Sequence, residues 1–97
     1  MRARKRAAWN IRRLRVARNV SQEDLAYHAG IDRAYFGRIE RALENPTLDL
    51  LDKIAKALSA DVSILLLAPK AGDEPPKALR AGRRPANVNS SKRRPIR

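Results

Sequence analysis

The sequence predicts an all-α domain of five helices over residues 7–68, between a basic arm at 1–6 and a disordered basic tail at 69–97. Three observations lead there. Apolar residues recur three and four apart through the first two thirds of the chain, the period of helices with one buried face. Side chains able to cap a helix start (Ser21, Asp32, Thr47, Asp61) stand before four of these stretches. No run of alternating β-branched residues asks for a strand.

Helix one is expected from Ala7 to Asn19, where Ala7, Ile11, Leu14 and Arg18 share a stripe and Asn19 tolerates the left-handed turn that stops a helix. Ser21, with Asp24 three residues on, opens a short second helix that ends at Gly30. Asp32 caps a third helix running to about Ala42. The loop "ALENP" follows, and Pro46 bars continuation. Thr47 opens a fourth helix with Leu48, Leu51, Ile54, Ala55 and Leu58 at core spacing, and Asp61 opens a short fifth, "VSILLL". Trp9 and Tyr27 read as packing residues.

Charge narrows the function. Twenty-two Lys and Arg oppose ten Asp and Glu, a net +12 over 97 residues. Such an excess repels itself unless a polyanion neutralises it, so nucleic acid or an acidic membrane is the expected partner class. Residues 2–18 alone hold eight basic side chains and no acidic one. With no cysteine and one histidine, neither a disulfide framework, a thiol nucleophile nor a metal cluster is expected. The longest apolar run, "ILLLA" at 64–68, is too short to span a bilayer. No nucleophile-and-base pair or phosphate-binding glycine loop is present, so the expectation is a non-enzyme without cofactor or metal, in the cytoplasm.

Two short helices joined by Gly30, Ile31 and the Asp32 cap form the pattern of a helix-turn-helix unit. The stretch "SQEDLAYHAGIDRAYFGRIERALENPTLDLLDKIAKAL" resembles the lambda-repressor-like (Xre/Cro) family of helix-turn-helix DNA-binding domains. The resemblance covers roughly Asn10 to Leu66, through SQ-x-x-LA, A-G-I, R-I-E-R and N-P-T-L-x-x-L in order. Asn19, Ala42 and Ser59 depart from it where glycine is usual. It implies that the start of helix three reads bases and that Gln22, at the start of helix two, grips DNA phosphate. It also implies an ion pair between Arg15 and Glu40 that ties helix one to helix three.

The residues of helix three support the same use. At about 100° per residue, Phe36, Ile39, Glu40 and Leu43 fall on one side; Ala34, Gly37, Arg38 and Arg41 fall on the other. Arg33 lies between them in the first turn. Glycine inside a helix costs about 1 kcal/mol against alanine, so Gly37 serves close approach, either to a groove or to another helix. Arg33 and Arg38 can pair with guanine O6 and N7, and Ala34 can rest on a thymine methyl. Arg33, Ala34, Gly37 and Arg38 are therefore the candidate base-reading set; Gln22, Tyr35, Arg41 and Asn45 are the candidate phosphate contacts. Asp32 is foremost an N-cap that could also accept from cytosine, and Tyr35 either packs or reaches a phosphate.

The expected function is sequence-specific double-stranded DNA binding by a small transcriptional regulator, a repressor, with no small-molecule effector evident. An antitoxin or restriction–modification controller on the same fold is a second reading, and a nonspecific nucleic-acid-binding or bridging protein a third. Family members bind two-fold sites as dimers, and residues 61–68 either form the homodimer surface or close the core. The tail repeats "RRP" at 83–85 and 93–95, suited to general phosphate attraction or to a narrow minor groove.

Overall fold

Four α-helices and a closing 3-10 turn build the described part of the chain, residues 1–70, 72 and 73 of a computed structural model. They are α1 (Ala3–Ala17), α2 (Gln22–Ala29), α3 (Arg33–Glu40), α4 (Leu48–Ala57) and the turn Val62–Leu66. No strand occurs among the described residues. The expected tail at 69–97, with its "RRP" repeats, lies almost wholly outside them.

Three helices start where a side chain substitutes for the missing backbone acceptor. Ser21 accepts from the Asp24 N–H, Asp32 from Tyr35 and Thr47 from Leu50, each at 3.0 Å. Asp61 does the same for the 3-10 turn, accepting from the Ser63 hydroxyl and N–H. These bonds, the hydroxyl first, hold the Asp61 carboxyl below the usual carboxylate range. Their contribution is present above the unfolded carboxyl's range and is lost as pH falls through the lower folded value.

All four helices stop alike. At each exit two N–H groups turn back onto the last carbonyls: Asn19 to Val16 and Val20 to Arg15 after α1, for example, and Ala42 to Ile39 and Leu43 to Arg38 after α3. This closure needs one residue in the left-handed region. The four residues are Asn19 (φ 58°), Gly30 (74°), Ala42 (61°) and Ser59 (57°), and only Gly30 is a glycine. The three departures from family pattern are thus strained helix stops with the geometry intact. Ala42→Gly should raise stability by about 0.5–1 kcal/mol. In thermal melts that is a gain of a few degrees for a domain this small; an unchanged or lower midpoint would show that Ala42 carries no strain.

The core is aliphatic around one ring: Phe36, Ile11, Leu25, Ile39, Ile54, Leu58 and Leu65 are fully buried. α1 packs against α3 and the 3-10 turn, α2 against α3 and α4, and α4 closes on the turn. Asn10 secures that closure: its buried amide donates to the Leu65 carbonyl at 3.0 Å and to those of Arg6 and Leu67 at 2.9 and 2.8 Å.

Several expectations need correction. α1 begins at Ala3, so most of the supposed arm is helical; alanine, arginine and lysine are good helix formers and nothing interrupts them. The fifth helix is a 3-10 turn of five residues, too short for an α-helix and pinned by Asp61 and Asn10. Leu43 and Leu48 are 59% and 70% exposed: Leu43 lies past the reversal at Ala42, and Leu48 is the first residue of α4, ahead of the turns that meet the core. Arg18 leaves the apolar stripe to donate to the Leu58 carbonyl, and Tyr27 stands outward against the edge of His28.

Candidate nucleic-acid interface

Helices α2 and α3 meet through Gly30, Ile31 and Asp32, and Gly30 in the left-handed region makes so short a connection possible. Phe36 and Ile39, buried beneath α3, fix its rotation. That leaves Arg33 and Ala34 exposed and Gly37 and Arg38 partly so. A Cβ built on Gly37 would meet only the Gln22 side-chain oxygen, at 4.0 Å. Close helix–helix packing therefore does not account for the glycine.

Beneath this face lies a buried, bidentate ion pair. Arg15 donates through Nε to Glu40 at 2.6 Å and through Nη2 at 3.0 Å, with both side chains nearly inaccessible to water. A third donor of the guanidinium, Nη1, reaches the Val20 carbonyl at 2.8 Å. The pair is desolvated, but each guanidinium nitrogen and both carboxylate oxygens have a hydrogen-bond partner, the condition under which buried charge is tolerated. It joins α1 to the end of α3.

The network continues outward. Gln22 Nε2 donates to Glu40 Oε1 at 3.0 Å, and Arg33 Nη2 reaches Gln22 Oε1 at 3.4 Å. Gln22 is thus held from inside by a carboxylate, while its own position at the first residue of α2 leaves a helix N-terminus beside it. Arg38 is engaged elsewhere. Its Nε donates to Glu44 at 2.7 Å, and its guanidinium carbon lies 5.5 Å from the centre of the Tyr35 ring. Tyr35 itself packs partly against the core. Arg41 and Asn45 are exposed beyond the end of α3.

The structure therefore gathers Gln22, Arg33, Ala34, Gly37 and Arg38 on one face and ties two of them down in ways the sequence did not announce. Glu44 stands six residues from Arg38, outside helical i+4 pairing, and reaches it only because the chain reverses at Ala42. Among the described residues no cluster of three possible metal-ligating side chains occurs, and no helix is long and apolar enough to cross a membrane.

The profile of the helix-turn-helix domain family matches residues 6–64, which take in α1 from Arg6, the whole of α2, α3 and α4, and the first three residues of the closing turn. The chain belongs to that family. This helix-turn-helix protein is 41% identical over 63 residues to a hypothetical transcription factor of Neisseria meningitidis serogroup B, which aligns over 65% of the present chain. The match spans 59% of the Neisseria protein's own length. A crystal structure of a Neisseria hypothetical transcription factor superimposes with a TM-score of 0.68 at 40% identity, over 70% of this chain and 78% of that one. Control protein C.SmaI of Serratia marcescens is 46% identical over 59 residues, 61% of this chain and 70% of its own. The restriction–modification controller C.AhdI of Aeromonas hydrophila superimposes at TM-score 0.62 and 37% identity, over 64% and 94% of the two chains.

Proposed function

We propose that this protein is a sequence-specific double-stranded DNA-binding regulator of transcription, with α3 lying in the major groove. The observation that carries the reading is the outward face of α3. Two arginines flank the small residues Ala34 and Gly37, and a buried ion pair holds the unit rigid from behind. Arg33, Ala34, Gly37 and Arg38 take the base edges; Gln22 and Tyr35 take phosphates on one flank, Arg41 and Asn45 on the other. Arg38 must exchange Glu44 for a base, so its contribution is smaller than that of Arg33. Occupancy of a promoter blocks access to it and so acts as repression, and a nucleoid-associated place in the cytoplasm goes with it.

A two-fold site bound by a homodimer fits this reading. Residues 61–68 supply the surface: Leu65 closes the core, whereas Leu67 is 53% exposed and Ile64 and Leu66 are half-buried. Similarity to C.SmaI and C.AhdI supports a more specific role as a restriction–modification controller. Selection of duplexes from a random pool, followed by titration on selected and scrambled DNA at several salt concentrations, tests the core claim. Specific binding about a thousandfold or more tighter than nonspecific is expected; comparable affinity for both would leave a nonspecific binder. Light scattering with the selected duplex tests the dimer, and a strict monomer on a palindromic site would overturn it.

A further inference from the structure

Charge segregates along this chain. Residues 2–18 carry eight basic side chains and no acid, whereas residues 19–68 carry five basic and eight acidic ones. Among the described residues, an open depression of ≈ 490 Å³ lies between the start of α1 and the exit of α3, lined by Arg2, Arg4, Lys5, Arg41, Ala42 and Leu43. Four cations border it and no carboxylate does. The ion pairs that do form among the described residues are Arg15–Glu40, Arg38–Glu44 and Lys56–Asp52, so none of the four is paired with a described carboxylate.

That arrangement works against the folded state taken alone. α1 has no side-chain cap and no acid in its first turn, and it places Arg4 and Lys5 at the positive end of its own dipole. Four like charges around one hollow repel one another, and an anion relieves both penalties at once. Arg41 identifies the anion, because it also lies on the side of α3 that carries Ala34, Gly37 and Arg38. From Arg33 to Arg41 the chain rises about 12 Å, the width of a DNA major groove. A helix lying in that groove with Gln22 at one phosphate wall brings Arg41 to the other.

We infer that Arg2, Arg4, Lys5 and Arg41 form a single DNA-phosphate clamp, built by the helical start of α1 against the exit of α3, which grips the backbone flanking the sequence read by α3. The inference rests on the DNA-binding reading. It gives the basic residues at the start of α1 a fixed site, so its contacts fall at defined phosphates.

The test uses the full chain on the selected duplex, on a scrambled duplex, and on the selected site with the flanking base pairs trimmed. The Arg2→Ala/Arg4→Ala/Lys5→Ala variant and Arg41→Ala should fold, since alanine favours the helix and relieves the dipole conflict; melting midpoints should hold or rise. Both should weaken selected and scrambled DNA alike and flatten the plot of log K against log salt by about 0.9 for each phosphate released. Combined, they should lose less than the product of the separate losses, because they hold one stretch of backbone. Trimming the flank should weaken the wild type and leave the combined variant unaffected.

Unchanged salt slopes in variants of a protein that still binds the selected duplex would overturn the clamp and spare the DNA reading. Equal losses in a Lys53→Ala/Lys70→Ala control would overturn it as mere bulk charge. Retained DNA binding with lost binding of poly-glutamate would overturn it in favour of an acidic protein segment. No binding of any duplex by the wild type would remove both readings.

Discussion

Glu40→Ala should lower stability by about 3–5 kcal/mol, enough to abolish a cooperative urea transition. The cost arises because the substitution strips a buried guanidinium of two of its three hydrogen bonds without moving it into water. Arg15 would keep only the Val20 carbonyl, in a site where it is 4% exposed. Small domains hold about 0.05–0.15 kcal/mol per residue, which gives this one roughly 3–10 kcal/mol in all. Three helix stops already carry strain at Asn19, Ala42 and Ser59, which places it toward the lower part of that range. Replacing both partners with apolar residues, Arg15→Met with Glu40→Leu, should recover most of the loss, since the desolvated charges then vanish together. A loss below about 1 kcal/mol for Glu40→Ala would mean that the pair is wet and behaves as a surface bridge.

Arg33→Ala should cost about 1–3 kcal/mol on the selected duplex, roughly tenfold to a hundredfold in affinity, and relax the preference at one base pair. Arg33 is exposed in the first turn of α3, and the sole hydrogen bond of its side chain among the described residues is a long one to Gln22. It can therefore turn to a guanine at little expense. Arg38 must first leave an ion pair of 2.7 Å and a stack on Tyr35, so Arg38→Ala should cost less than Arg33→Ala. Site selection repeated with each variant separates base readers from phosphate contacts. A loss spread evenly over all sequences would demote Arg33 to the backbone.

Much of this could be read directly from the chain. Ser21, Asp32, Thr47 and Asp61 mark starts because a short oxygen-bearing side chain answers a purely local need, the free N–H groups of a first turn. Gly30 marks a stop for an equally local reason. The stripe of Phe36 and Ile39 assigns the outer face of α3, because helical geometry places residues three apart on one side. Local rules failed where an element depended on a distant one. Leu48 satisfies the core period of α4, but whether the first turn of a helix meets the core depends on the direction from which the preceding loop arrives.

The outward set Arg33, Ala34, Gly37 and Arg38 and the helical character of residues 7–58 thus follow from periodicity and capping alone. Three matters needed the tertiary structure. Glu44 holds Arg38 only because the chain doubles back at Ala42. Gln22 is bonded to Glu40 only because α2 and α3 cross at that point. The first basic residues face Arg41 only because α1 extends, as a helix, alongside the exit of α3. In each case the partners are far apart in helical register, and no periodicity relates them. A side chain's neighbours across space are set by how rigid elements pack, which no local spacing encodes.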